Sequence, residues 1–367
     1  MDSEELIFRM ALMQIDGLGP ATLQELLHYF PKASALSSTR ATDLARTPQK
    51  LHKWIRRIPQ EVTQWLPYAE EKFKSLQTRS DSILASNDPD YPSRLSQIPD
   101  PPALLYARGT PSFEAPRTVA IVGARSASEY GRRFVRNLVQ HLVPYQPVIL
   151  SGLAVGIDAE AHRRALEYGL PTWAVFACGF DRIYPDLNKK LAHDILKDGA
   201  WISEFLPGTQ PVRGHFPRRN RIIAGLADVC VVVQAARKGG ALITAKLAND
   251  YGRDVFALPG RVEDKSAQGC NSLIRTHQAH LIEDSRNLTD LLGWKPTGTP
   301  IQPRLPLDLD ESSSLILKLI SSEEGCSLDT LSAELGMDVA QLLPLLMQLE
   351  LRSLIRNTGA HHYVRSG

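Results

Sequence analysis

A short basic stretch with one aromatic ring and one amide holds most of the side chains in this sequence that could bind an anion. The side chains in question, between positions 213 and 221, are Arg213, His215, Phe216, Arg218, Arg219, Asn220 and Arg221. Guanidinium groups attract phosphates and an aromatic ring stacks on a base, so this composition favours single-stranded nucleic acid or a nucleotide as the ligand. The alternative is an ordinary solvated basic loop, and the stretch alone does not choose between the two.

Glycine-containing turns follow several apolar runs that read as strands. Such glycines are Gly123, Gly152, Gly179, Gly239 and Gly240. Glycine lets the backbone approach a ligand closely, and free amides at the start of a helix bind anions. Arg125 lies beside one of these turns. Together, the glycine turns and this arginine indicate a ligand that carries phosphate. Ser128 is predicted to cap the next helix and could also touch a phosphate, and Lys246 is predicted to extend the basic track.

Catalytic chemistry has weaker support in the sequence. Asp158 and His162 lie four residues apart on one helical face and could form an acid-base pair, but no nucleophile accompanies them. We interpret Glu204 and Asp181 as partners of arginines rather than as catalysts. The glycine spacing is neither GxGxxG nor that of a P-loop, which disfavours a nicotinamide enzyme and ATP-driven work. The four cysteines form no CxxC pair, which indicates neither a zinc site nor a disulfide framework. We therefore predict no catalytic residue, no metal site and no cofactor from these observations together.

Strand-like and helical segments alternate from about residue 117 to residue 294. Predicted strands are 119–122, 148–150, 173–177, 201–203, 229–233, 255–258 and 280–282, and predicted helices are 129–142, 158–168, 187–197, 241–251 and 270–276. Alternation of this kind is typical of a mainly parallel sheet covered on both faces. The fold class is therefore predicted as α/β, with a doubly wound, Rossmann-like sheet whose ligands lie at the carboxyl ends of the strands.

Four regions are expected along the chain. Residues 1–82 are predicted to be a helical domain, with helices around 43–58 and 61–77 and a Gly-Leu-Gly turn at 17–19 that resembles a helix-hairpin-helix (SAM-like) unit. Residues 83–294 form the extended Rossmann-like domain, and a proline-rich linker covers 295–311. Residues 312–367 resemble a small winged helix. Its predicted third helix, 339–351, lacks an outer row of Lys or Arg, which favours protein contact or auxiliary binding over groove reading.

Composition limits the class of protein and its location. The 367 residues are 43% hydrophobic and carry a net charge of +2, so a nucleic-acid site must come from local clustering of charge. The N-terminus has neither a basic start nor a long apolar run, and no segment reaches the length of a membrane helix. We therefore expect a cytoplasmic protein without membrane contact.

Five motifs together resemble the DNA processing protein A family (DprA, also called Smf). The motifs are VAIVGARSASEYG at 119–131, SGLAVGIDAEAHRRAL at 151–166, HFPRRNRIIAGLAD at 215–228, GGALITAKLANDYGRDVFALPG at 239–260 and GCNSLIR at 269–275. The resemblance implies a binder of single-stranded DNA that protects DNA entering during natural transformation and helps load the RecA recombinase. It also implies a homodimer formed through the Rossmann-like domain, and a DNA pocket that uses Arg125, Arg213, Phe216 and Asn220.

Three hypotheses follow for the function. The first is a non-enzymatic recombination mediator whose DNA-binding residues are Gly123, Arg125, Ser128, Gly152, Arg213, Phe216, Arg219, Asn220, Arg221, Gly240 and Lys246. The second is a Rossmann-like nucleotide hydrolase or phosphoribohydrolase with Asp158 or Glu204 as its carboxylate, an analogy of fold alone. The third is a scaffold whose basic stretch binds a protein partner.

Overall fold

The computed structural model describes residues 2–38, 41–297, 311–320, 325–351, 354–359 and 362–365. It contains two compact units, Met1–Ile301 and Gln302–Gly367. Most of the predicted linker 295–311 lies outside the described residues. Among those that are described, no helix is both long and apolar enough to cross a lipid bilayer.

A nine-stranded sheet forms the centre of the first unit. Its strands are β1 Ser82–Ala85, β2 Leu104–Gly109, β3 Thr118–Gly123, β4 Val148–Ser151, β5 Thr172–Val175, β6 Ala200–Ser203, β7 Val229–Val233, β8 Asp254–Ala257 and β9 His280–Leu281. The spatial order is β1-β2-β6-β5-β4-β3-β7-β8-β9, and the seven strands from β6 to β9 are parallel to one another. The prediction of a doubly wound, mainly parallel sheet is confirmed.

The chain reverses its winding direction at β3. From β3 it runs outward through β4, β5 and β6, and it then returns to place β7 on the other side of β3. Strands β1 and β2 extend the β6 edge in antiparallel pairing. The sequence predicts a short strand at 104–106, which is part of β2, whereas β1 is not predicted from it. In a sheet of this kind the crevice at the reversal point is the usual ligand site.

Helices cover both faces of the sheet because residues alternate along each buried strand. Val119 and Ile121 of β3 point into one core, and Ala120 and Val122 point into the other. The helices that follow β1 in this unit are α5 Ser93–Ser96 (in the β1–β2 connection), α6 Glu129–Leu142, α7 Ile157–Glu167, α8 Lys189–Ile195, α9 His215–Leu226, α10 Gly240–Asp250, α11 Gln268–Arg275 and α12 Arg286–Leu291. Short 3-10 turns occupy Ala33–Ser38, Val143–Tyr145 and Asp186–Asn188.

The alternative of a solvated basic loop is wrong for residues 215–221, because they are helical. Residues His215–Leu226 form helix α9. Its inner side carries Ile222, Ile223 and Leu226, all buried in the core shared with β3 and β7. The charged residues that precede these apolar ones hid the helical pattern, and burial of one helix face outweighs the polarity of the other.

The N-terminal helices pack on the sheet rather than forming a separate core. They are α1 Ser3–Leu12, α2 Pro20–Tyr29, α3 Ala41–Ala45 and α4 Gln49–Thr78. Their apolar residues share one cluster with Ala174, Phe176 and Trp201 of the sheet. The two helices predicted at 43–58 and 61–77 are one helix, α4, which continues through Pro59 and Pro67. Its apolar row runs from Leu51 to Leu76, with half-buried Trp65 and Leu66 between the buried Val62 and Ala69, and this packing offsets the backbone bonds that the prolines remove.

The second unit is a small winged-helix fold, as predicted. Its elements are α13 Glu311–Leu319, β10 Cys326–Ser327, α14 Leu328–Leu335, α15 Val339–Leu351, β11 Ile355–Asn357 and β12 His362–Arg365. The strands form a sheet in the order β10-β12-β11. Ser327 caps α14 by accepting a hydrogen bond from the Thr330 amide, and Gly336 ends that helix in the left-handed conformation.

Candidate nucleic-acid interface

An open cleft of about 1170 Å³ lies at the carboxyl ends of β3 and β7. Its walls are the turn after β3, the turn after β7, and the first turns of α9 and α10. The chain reverses its winding between these two strands, so the cleft occupies the crevice at which doubly wound sheets bind ligands.

Arg125 and Phe216 face each other across this cleft. The Cζ atom of Arg125 lies 5.9 Å from the centroid of the Phe216 ring. Arg125 is exposed and Phe216 is half-buried, and the ring of Tyr184 meets Phe216 edge-on at 5.8 Å. A cation and an aromatic face therefore lie side by side at the surface, an arrangement suited to a phosphate and its base.

Four more exposed cations line the cleft, and two of them had not been singled out in the sequence. Arg213 and Lys246 were predicted, whereas Arg237 and Lys238 follow Ala236 in the turn after β7. Within the described part of the chain, neither Arg125 nor any of these four forms an ion pair. The place of Arg237 and Lys238 directly after a buried strand could have identified them.

Few carboxylates balance this charge. Among the residues that line the cleft, Asp250 is exposed and Asp158 is buried. The exposed lining therefore carries five cations against one anion. Charge of one sign concentrated in a concave site attracts a polyanion even though the whole chain is nearly neutral.

Arg219 is held inside the protein rather than at the surface. Its Nη1 donates to the carbonyl oxygens of Gly152 and Val175, the latter at 2.7 Å, and its Nε donates to Asn220 Oδ1 at 3.1 Å. The residue is only 5% exposed, and burial lowers the pKa of its guanidinium. The predicted phosphate contact through Arg219 would require these bonds to open, so its geometry suits support of the strand ends instead.

Arg221 and Arg218 share one buried carboxylate. Glu204 Oε2 accepts hydrogen bonds from Arg218 Nη2 at 3.1 Å and from Arg221 Nη2 at 2.6 Å. Glu204 and Arg221 are both buried, and Arg221 also donates to the Asp100 carbonyl oxygen. The interpretation of Glu204 as an arginine partner agrees with this geometry. Arg221, predicted to contact DNA, lies beneath the surface.

Asn220 and Gly240 connect two walls of the cleft. The Asn220 side chain donates from Nδ2 to the Gly240 carbonyl oxygen at 3.4 Å, which joins α9 to the start of α10. Gly240 has open space where a side chain would begin. A ligand can therefore approach the backbone at the start of α10.

Ser128 caps α6 as predicted and belongs to a second connection across the cleft. Its Oγ accepts from the Gly131 amide at 3.3 Å. Gln234, at the end of β7, accepts from the Ser128 amide at 2.9 Å and donates to Ser128 Oγ at 2.8 Å. The turn that presents Arg125 is thereby attached to β7. Gly123 ends β3 directly before this turn, and a Cβ at this position would overlap the Val233 carbonyl oxygen.

Asp158 and His162 do not form an acid-base pair. Asp158 Oδ2 accepts from the amides of Gly152 at 3.2 Å and Ala154 at 3.4 Å, while burial raises the pKa of this carboxyl group. His162 Nδ1 lies 2.7 Å from Thr172 Oγ1, and burial lowers the pKa of the imidazole to about 3. Both side chains therefore hold the strand ends in place.

Comparison with known proteins identifies relatives along most of the chain. The model of the family described as DNA recombination-mediator protein A matches residues 82–293, and that of the DprA winged helix domain matches residues 300–359. Protein Smf from Synechocystis sp. is 32% identical over 400 residues that span all of both chains. DNA processing protein DprA from Streptococcus pneumoniae is 45% identical over 188 residues, which are 51% of this chain and 66% of that protein.

Two solved structures share the fold. The X-ray structure of DNA processing protein A from Streptococcus pneumoniae has a TM-score of 0.65 and 32% identity, and the match covers 79% of this chain and 98% of that one. A structure of DNA processing protein A from Helicobacter pylori, described as showing a single-stranded DNA binding mode, has a TM-score of 0.54 and 32% identity. That match covers 59% of this chain and 97% of the other.

Proposed function

Because the chain belongs to the DNA recombination-mediator protein A family, we propose that its cleft holds single-stranded DNA for recombination. The Arg125–Phe216 contact at 5.9 Å carries this proposal. Exposed cations attract the sugar-phosphate backbone, and the Phe216 ring offers a face to an unpaired base. Paired bases hide their faces in the stack, so the cleft favours an unpaired strand over a duplex.

Residues at three depths below the surface of the cleft would contribute to DNA binding. Arg125, Arg213 and Lys246, together with Arg237 and Lys238, are exposed and would contact phosphates. The backbone at Gly123 and Gly240 would approach the strand, and Ser128 and Asn220 would hold that backbone in place. Arg219, Arg221 and Gly152 would support the strand ends from below.

The proposal extends to the partners that the family resemblance implies. The protein would protect incoming DNA during natural transformation and load RecA onto it. A direct measurement is the rate at which RecA filaments form on strands coated with a single-strand binding protein, with and without this protein. Unchanged filament growth, in the presence of intact DNA binding, would separate binding from RecA loading.

A homodimer through the Rossmann-like domain is part of the same proposal. Strand β9 lies at one edge of the sheet, its two residues are exposed, and Leu281 is 44% exposed. An exposed edge strand with an apolar side chain is available for contact with a second copy. Leu281→Arg should shift the mass measured by light scattering toward the monomer, whereas Arg275→Ala should leave it unchanged.

A binding role without catalysis fits the carboxylates of the site. Asp158 holds two amides and Glu204 holds two arginines, so each is occupied by a structural bond. We therefore propose that the protein is not an enzyme. Release of free base from nucleoside monophosphates would contradict this proposal. We also propose that the protein acts in the cytoplasm.

The deciding experiment compares wild-type protein with Arg125→Ala on single- and double-stranded DNA. Binding would be followed by fluorescence anisotropy from about 50 mM to about 200 mM salt. We expect tighter binding to the single strand, and a log–log salt slope that is smaller by about 0.7 in the variant because one phosphate contact is lost. Preference for the duplex, or equal slopes in the two proteins, would overturn the assignment.

A further inference from the structure

A group of arginines on α6 and α7 lies outside the cleft. Arg132 of α6 and Arg163 and Arg164 of α7 surround Glu160. Arg136 lies one turn further along α6. We call these four arginines the α6–α7 surface. None of them lines the cleft described above.

One carboxylate cannot satisfy the guanidinium groups around it. Arg164 Nε donates to Glu160 Oε1 at 2.8 Å, but the nearest nitrogens of Arg132 and Arg163 lie 3.6 Å from Oε2. The longer separation exceeds the range of a charge-assisted hydrogen bond. Within the described chain, neither Arg132 nor Arg163 has another carboxylate partner. Their donors remain available for a second anion.

The exposure of the Arg132 and Arg163 side chains also indicates that they can bind a second anion. The side chains of Arg132 and Arg163 are 38% and 48% exposed, while the Glu160 side chain between them is only 5% exposed. The Nε of Arg136 is buried and lacks a hydrogen-bond partner within the described residues. A buried carboxylate thus orders two exposed guanidinium groups without neutralising them.

The α6–α7 surface continues from the rim of the cleft. Helix α6 begins at Glu129, four residues after Arg125, and Arg132 lies within its first turn. The start of α7 touches the same rim, because a Cβ on Gly156 would overlap the carbonyl oxygens of Ala124 and Arg125. A strand that leaves the cleft over Arg125 therefore meets α6 and α7 next.

We propose that the α6–α7 surface binds the phosphates of the same single strand after it leaves the cleft. This inference rests on the proposed function, and it adds an exit path through Arg132, Arg136 and Arg163. Planar guanidinium groups suit phosphate oxygens. All four side chains are arginines, so the surface would hold the strand through its charged backbone.

The test varies the length of the strand. Thymidine strands of about 6 and about 16 nucleotides would be used, since this range spans the sites of known single-strand binding folds. Arg132→Ala/Arg163→Ala should bind the short strand within about twofold of wild type and the long strand at least about fivefold more weakly. Its salt slope on the long strand should fall by about 1.4, for two phosphate contacts of about 0.7 each.

Matched variants keep the result interpretable. Lys74→Ala/Arg275→Ala removes two exposed charges that neither line the cleft nor belong to the α6–α7 surface, and this variant should bind both strands as wild type does. Arg132→Lys/Arg163→Lys keeps the charge and should restore most of the salt slope. If the double alanine variant folds poorly, Arg163→Ala alone should lower the slope by about 0.7.

Three results would overturn the exit path while leaving the cleft assignment intact. The first is unchanged affinity and slope on the long strand, and the second is a loss seen only with duplex DNA. Equal weakening on both strand lengths would also overturn it, because the arginines would then act through the cleft itself. If wild-type protein bound neither strand, the proposed function would fail first and the exit path with it.

Discussion

Arginines of one short stretch lie at different depths in this protein. Arg213 is exposed at the cleft, whereas Arg219 and Arg221 are 5% and 3% exposed. The buried pair bond to carbonyl oxygens and to Glu204, which satisfies charges that would otherwise be costly to bury. Substituting either buried arginine should therefore lower the free energy of unfolding. A loss of DNA binding in such a variant would then not by itself identify a DNA contact.

Phe216 tests stacking separately from charge. Phe216→Ala should weaken binding of single-stranded DNA by about 1–3 kcal/mol, the usual contribution of a base stacked on an aromatic ring. The salt slope should stay the same, since no phosphate contact is lost. Tyr29→Ala, which removes an aromatic residue exposed on α2, is the control and should bind normally. A slope that changed with Phe216→Ala would contradict stacking as its role.

His162 links stability to pH. Its pKa is lowered to about 3 by burial, against an ordinary value of about 6.5. Between these values the unfolded chain binds a proton that the native protein does not, so stability falls as pH falls. From pH 7 to pH 5 this group should remove about 2 kcal/mol of the free energy of unfolding.

The measurement for His162 is urea unfolding at the two pH values. His162→Asn should lose about 2 kcal/mol less than wild type on acidification, because it has no imidazole to protonate. His28→Asn, at an exposed position of α2, should lose as much as wild type. Identical pH dependence in wild type and His162→Asn would show that the buried imidazole is not responsible.

At the scale of elements, two glycines of the predicted site are expected to behave differently. A Cβ at Gly240 meets open space, whereas one at Gly152 would overlap the Arg219 guanidinium. Gly240→Ala should change stability by no more than about 1 kcal/mol and should weaken DNA binding, because the methyl group occupies space next to the first turn of α10.

Gly152→Ala provides the contrasting result. It should lower the free energy of unfolding by about 1–3 kcal/mol, the usual cost of forcing extra atoms into a packed site. Chemical unfolding and anisotropy on the same samples would separate the two effects. Normal DNA affinity in Gly240→Ala would mean that the strand does not approach the start of α10.

At the scale of the whole molecule, the cleft belongs to one of the two compact units. All residues that line it fall within Met1–Ile301. A chain that ends at residue 301 should therefore keep its affinity for a short thymidine strand within about twofold of the full chain. Circular dichroism would verify that the shortened chain is folded, and a folded but inactive product would show that the winged-helix unit contributes to the cleft.

Much of the architecture could be predicted from local patterns. Unbroken apolar runs such as Val229–Val233 identify strands buried on both faces, since both neighbouring layers are apolar. Alternation with helices then implies parallel pairing and a ligand site at the carboxyl ends. Ser128 was identifiable as a cap because capping depends on residues close in sequence. The four-part division of the chain stays a prediction.

Long-range contacts determine features of the fold and of the candidate site that local sequence patterns do not predict. Helix α9 forms on a polar stretch because one face packs on the sheet, and α4 continues through two prolines because its apolar row packs along its length. Which arginines are exposed depends on where Glu204 and the carbonyl oxygen of Val175 lie, and these partners are distant in sequence. The residue types of the site were thus evident from the sequence. Their depth and the meeting of Arg125 with Phe216 came only from long-range packing.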